Sequence, residues 1–126
     1  MHENDVSGQI VDCAIEVHRT LGGPGLVESV YEEALAWELQ QRGLAVGRQL
    51  VVPINYKGLS LAQPLRLDLL VERRVVVEVK ATTSYNPIFE AQALTYLRLL
   101  GLRLALVINF GEGRVVDGIH RVVNRL

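Results

Sequence analysis

The 126-residue chain has one cysteine, one tryptophan and two phenylalanines, and its formal charge is only −1. Each shortage excludes something. Cys13 alone cannot close an internal disulfide, so nothing ties the fold to an oxidising compartment. It falls in an apolar helical pattern and reads as a buried thiol. Thirteen Lys and Arg against fourteen Asp and Glu exclude a uniformly basic nucleic-acid binder, while a local basic patch remains open. No apolar run approaches the ~20 residues of a bilayer span. The opening "MHENDVSGQ" is polar and acidic, unlike a secretory leader. A cytoplasmic protein without membrane contact is the expectation. Of three histidines, none stands at metal-ligand spacing from another, which argues against zinc. His18 reads as structural, His2 lies in a terminus expected to be mobile, and His120 lies near the end of the last strand. There is no P-loop, no dinucleotide-binding glycine pattern and no G-x-S-x-G. The serines have no recognisable base beside them.

What is present is an ordinary globular composition, 49% hydrophobic and 21% charged. The length suits one core, and no repeat, linker or low-complexity tract divides residues 1–126. Helical spacing runs through Ile10, Cys13, Ala14, Val17 and Leu21. "GGPG" ends that helix. A second is expected from about Leu26 to Arg42, stopping at Gly43, with Val27, Val30, Tyr31, Ala34, Leu35 and Leu39 inward. Val46 to Tyr56 reads as extended, and "YKGL" as a turn. A hairpin follows Pro64, "TTSYNP" is a loop, and Ile88 to Leu100 is a helix closed by Gly101. "RLALVINF" is a buried strand, and "RVVDGIH" a last one. The order α, α, β, β, β, α, β, β predicts an α/β (α+β) fold, a mixed sheet covered by helices.

The hairpin "LRLDLLVERRVVVEVKA" poses the chemical question. Asp68, Glu78 and Lys80 interrupt apolar runs, where an unpaired charge is costly. With Glu72-Arg73-Arg74 as the turn, 71 faces 75, and so Asp68 faces Glu78, with Cβ atoms ~5 Å apart. Asp68 shares a face with Leu70, and Glu78 and Lys80 share one with Val76. Leu67, Leu69, Val71, Val75, Val77 and Val79 form the core face. Two carboxylates so placed repel unless a cation lies between them. Their hard oxygens suit Mg²⁺ or Mn²⁺. Lys80 on the same side could hold or deprotonate an attacking water, or offset charge on a phosphate. Against this, "EVK" is common on solvated strand faces, and the apolar setting is what favours a site. Glu28 falls on the inward stripe of the second helix, although a first-turn acid also complements the helix dipole. Gln92 and Tyr96, four apart, share a side with Phe89, Leu99 and Leu100 and need partners if buried. Glu32, Glu33 and Glu38 read as a solvated helix face.

Asp68 followed by "EVK" resembles the bipartite motif of the PD-(D/E)XK nuclease superfamily, without its proline directly before the Asp. The elements from Leu26 to Phe110 resemble its restriction-endonuclease-like αβββαβ core, here with an extra N-terminal helix and a C-terminal strand. "QALTY" is similar to the Q-x-x-x-Y element of one branch. "GLVESVY" and stretches along nearly the whole chain resemble the GxxExxY proteins, although "LGGPG" carries one extra glycine. The resemblance implies a divalent-metal-dependent nuclease. Asp68, Glu78 and the Val79 carbonyl would be metal ligands. Lys80 would position the water. Glu28 would serve a second metal or a water of the first, and Gln92 and Tyr96 would orient the site and meet phosphate. The implied cofactor is Mg²⁺ or Mn²⁺, and the implied partner nucleic acid, with DNA expected. Arg66, Arg73, Arg74, Arg98 and Arg103 are candidate backbone contacts. So short a chain cannot surround a duplex, which leaves room for a homodimer. A nuclease-fold module without turnover, binding nucleic acid or a protein, is the alternative. A structural homodimer whose acids are satisfied by arginines is a third reading.

Overall fold

Two helices cross the open face of a twisted sheet in the computed structural model, which describes all residues 1–126. Helix α1, Glu3–Thr20, begins seven residues before the expected Ile10. His2 is the reason. Its ring Nδ1 accepts from the Asn4 amide at 2.9 Å, and the Asp5 carboxylate accepts from the His2 amide at 3.2 Å. Two amides of the first turn thus have partners, and the polar start is folded rather than loose. Helix α2 is Glu28–Gln41. Leu35 and Leu39 are sealed against the sheet, but Val27 and Val30 of the expected inward stripe are exposed.

The strands are β1 (Val46–Val52), β2 (Asn55–Tyr56), β3 (Leu59–Ser60), β4 (Leu65–Val71), β5 (Val75–Lys80), β6 (Leu104–Asn109) and β7 (Ile119–Val123), with helix α3 (Ile88–Leu100) between β5 and β6. Pro53, which has no amide proton, stops β1 short of Tyr56, and β2 and β3 form a separate ribbon. The main sheet has the order β1-β4-β5-β6-β7, with β5 and β6 parallel and the other pairs antiparallel. The fold is thus the expected mixed α/β architecture. The last strand is displaced from the expected stretch: Val115–Gly118 is a single 3-10 turn, and pairing runs from Ile119 to Val123, so His120 lies near its start and not its end. Asp117 and Gly118 suit a turn, and a Cβ on Gly118 would lie 2.3 Å from the Asn109 carbonyl.

Helices α1 and α2 cover one sheet face around Ile10, Cys13, Tyr31, Leu35, Leu69, Val77 and Phe110. Helix α3 covers the other through Ala93 and Leu97 against Val76, Ala105 and Val107. Cys13 is fully buried, and burial raises its thiol pKa. His18 is structural, as expected: its Nε2 lies 3.1 Å from the Phe110 carbonyl oxygen. Tyr31 stacks on Phe110 with centroids 4.7 Å apart, and its hydroxyl donates to the Gly23 carbonyl at 2.7 Å. That bond pins the glycine-rich loop ahead of Glu28.

Candidate metal cleft between two splayed strands

Glu72 and Arg73 both adopt left-handed backbone, φ 54° and 55°, so the hairpin turns tightly and Val71 pairs with Val75. The register is the one the turn length predicts. The β4–β5 ladder, however, ends at Leu69 and Val77. Beyond it β4 stays paired with β1 as far as Leu65, and β5 with β6 as far as Lys80. The sheet therefore splits between its two central strands, and Asp68 and Glu78 stand in the split.

Each carboxylate takes the place of a missing ladder bond. Glu78 Oε2 accepts from the Asp68 amide at 3.0 Å, and Asp68 Oδ2 accepts from the Val79 amide at 2.8 Å. The two acids thus converge, and neither forms an ion pair. Glu78 is 7% exposed. Burial, and then the Asp68 charge, push its pKa up to about 8. Burial also raises the Tyr96 hydroxyl, with smaller contributions from Glu78 and Asp68, so Tyr96 feels the same cleft. Lys80, half-buried, places its ammonium 4.5 Å from the Phe89 ring centroid. Its position at the end of β5 is held by a clamp: buried Asn109 accepts from the Thr82 amide at 3.0 Å and donates to the Thr82 carbonyl at 3.0 Å.

Asp68, Glu78, the Val79 backbone and Lys80 are therefore brought together, with Tyr96 beside them. Gln92 is exposed, as is Leu99 of its expected face, and has no hydrogen-bond partner. Glu28 is also exposed, at the first turn of α2. One turn further on the same helix face, Glu32 is buried, contrary to its reading as a solvated residue. It accepts from Gln49 Nε2 at 2.7 Å and pairs with Arg48 at 3.2 Å, and the same Gln49 nitrogen donates to Asp68 Oδ1 at 3.3 Å. Glu32 is near enough to add to the rise at Glu78. Its spacing from Glu28, with Leu35 and Tyr31 beside it, was the available sequence signal; Gln49 and Asn109 had none beyond being polar in apolar strands. Arg73 and Arg74 sit in the hairpin turn, and Arg98 and Arg103 near the start of β6, which adjoins Val75. All four lie at the end of the sheet away from the cleft. Arg66, exposed on β4, is at the cleft end.

The donor set suits a hard divalent cation. The two converging carboxylates form no ion pair and offer only hard oxygens, and no group of three His, Cys, Asp or Glu converges to make a closed cage. No helix is long and apolar enough to cross a membrane. No curated protein and no solved structure matches the chain. A family model described as PD-(D/E)XK nuclease superfamily matches residues 4–122. With the split sheet and its paired acids, that match over nearly all of the chain shows that it belongs to the PD-(D/E)XK nuclease superfamily.

Proposed function

We propose that the chain is a Mg²⁺- or Mn²⁺-dependent phosphodiesterase acting on nucleic acid, with DNA the first substrate to test. The observation that carries this is the pair of facing carboxylates that form no ion pair, Glu78 pushed up to about 8, beside the Lys80 ammonium on the same strand end. Superfamily nucleases generally use divalent ions. Asp68, Glu78 and the Val79 carbonyl would hold the ion, which when bound would supply Lewis-acid stabilisation of phosphate charge and a more acidic water. Lys80 would orient the attacking water and take part in its deprotonation. Tyr96 would donate its hydroxyl to a phosphate oxygen. Glu28 and Gln92, both exposed, would meet the ion's outer waters and the substrate once it is bound. The Gly25-x-x-Glu28-x-x-Tyr31 pattern supports the GxxExxY reading, and in it Tyr31 fixes the loop ahead of Glu28.

A second reading is a nuclease-fold module that binds without turnover. It is favoured by the four arginines at the far end of the sheet, which leave the cleft with little basic surface around it. A homodimer would place two clefts on one duplex. The structural reading, with the acids satisfied by arginines, has no support at Asp68 or Glu78, which pair with none.

Turnover should be assayed on single-stranded, double-stranded and branched DNA and on RNA, with Mg²⁺ or Mn²⁺. Lys80→Ala and Asp68→Asn should lower cleavage by about 10²–10⁴-fold while circular dichroism stays unchanged. Cleavage by both variants at the parent rate would reject the assignment. Nucleic-acid binding with no cleavage in any divalent ion would select the second reading.

A further inference from the structure

Five non-glycine residues have left-handed backbone. Lys57 lies in the β2–β3 turn, Glu72 and Arg73 in the hairpin turn, and Arg125 in the tail. Gln49 (φ 48°) alone lies inside a strand, β1. Such a conformation is strained for a non-glycine residue. It does not come from an inserted residue, since Arg48 pairs with Leu69 and Leu50 with Leu67, leaving Gln49 opposite Asp68 with no slip.

The bend changes which way the strands face. Before it, Val46 packs on the α1–α2 side; after it, Leu50 and Val52 pack on the α3 side. Strict alternation would keep all three on one face. Strand β4 makes the same switch at Asp68: Leu69 and Val71 face α1 and α2, whereas Leu67 faces α3. Leu67 was expected on the same face as Leu69. The chain also doubles back enough that a Cβ on Gly47 would lie 2.8 Å from Leu50 Cδ1. At this point the Gln49 amide nitrogen donates to Glu32 at 2.7 Å and to Asp68 at 3.3 Å.

We infer that Gln49 is a positioning residue for the cleft: its left-handed backbone turns β1 and β4 together, and its amide ties Asp68 to Glu32 of α2. The amide has two N–H groups, so it can bond both carboxylates at once. Asp68 Oδ1 is thereby held from the strand side while Oδ2 holds the Val79 amide. Its action on the cleft runs through Asp68. Its catalytic consequence rests on the nuclease reading above, but the positioning itself does not.

The test is Gln49→Gly, which keeps the left-handed backbone at no steric cost and deletes only the amide, with Gln49→Asn, which tolerates the same backbone but is one methylene short, as a second variant. Amide hydrogen exchange is followed by NMR in the metal-free protein. The Val79 amide should exchange about fivefold faster in both variants, the loss of roughly one hydrogen bond of ordinary net strength, while protected amides of the β5–β6 ladder stay at the parent rate. Unchanged exchange at Val79 in either folded variant overturns the inference. In the cleavage assay, kcat should fall with KM unchanged, because substrate contacts remain. Full kcat in Gln49→Gly, with Asp68→Asn inactive, also overturns it. If the parent protein shows no turnover, the nuclease reading fails, and the exchange result still decides the role of Gln49.

Discussion

Glu78→Gln should make the metal-free protein more stable at pH 8 while removing its response to divalent ions. Glu78 is 7% exposed, and burial and Asp68 raise its pKa from 4.5 to about 8. A raised carboxyl pKa means that the folded chain binds a proton the unfolded chain has released. The stabilisation is therefore complete below about pH 4.5 and is lost as pH rises toward 8. At 1.36 kcal/mol per pH unit, the loss at pH 8 is about 4 kcal/mol. Gln retains a carbonyl oxygen to accept the Asp68 amide, carries no charge and does not titrate. Urea unfolding in a chelator from pH 4.5 to 8.5 checks this. The difference between the two stability curves therefore reports Glu78 together with the charges coupled to it. That difference should widen with pH to about 4 kcal/mol in favour of the variant. Parallel curves would refute the reasoning. Adding Mn²⁺ at one hundred times its dissociation constant should restore about 2.7 kcal/mol to the parent protein and nothing to the variant.

Asn109→Ala should cost about 3 kcal/mol in the same unfolding assay, since it strips partners from the Thr82 amide, the Thr82 carbonyl and the Gly111 amide. Tyr31→Phe should cost about 1–2 kcal/mol by leaving the Gly23 carbonyl and Leu26 amide unpaired, and limited proteolysis should cut first in the loop before α2. Cys13, buried with a raised pKa, should resist a thiol-specific reagent at pH 8 until the chain is unfolded.

The sequence carried the sheet and the opposition of Asp68 to Glu78 because both depend on short-range rules. A three-residue turn sets the register, and alternating apolar runs mark the strands. It did not carry the direction of the side chains around Asp68. Alternation predicts Leu67 on the face of Leu69, and only the left-handed backbone at Gln49, a residue with no intrinsic preference for it, breaks the pattern. Glu28 and Glu32 lie one turn apart on the same helix face, so periodicity could not say which would be buried. The answer depends on where α2 meets β1, which is a tertiary fact. The His2 cap is hidden in the sequence for a different reason: a histidine cap is less expected than a Ser or Asp cap, yet its ring nitrogen accepts the Asn4 amide. Of the strand expected at "RVVDGIH", only Ile119 and His120 pair, because Asp117 and Gly118 suit the turn that precedes them.

The acids of the cleft have two duties, and this governs how they can be probed. A split between central strands leaves amides that water reaches poorly, and a buried amide without a partner costs about 1–3 kcal/mol. Asp68 and Glu78 bond those amides, so truncating either acid to Ala would orphan a backbone group as well as remove a ligand. Loss of cleavage in such a variant would not separate chemistry from folding. Asn at 68 and Gln at 78 keep an acceptor oxygen while removing the charge, so they alter the electrostatics with the backbone bonds intact. Lys80 differs: its ammonium rests on the Phe89 ring and bonds no backbone group. Truncation there removes only the charge and its stem, which makes Lys80→Ala the cleanest single test of the chemistry.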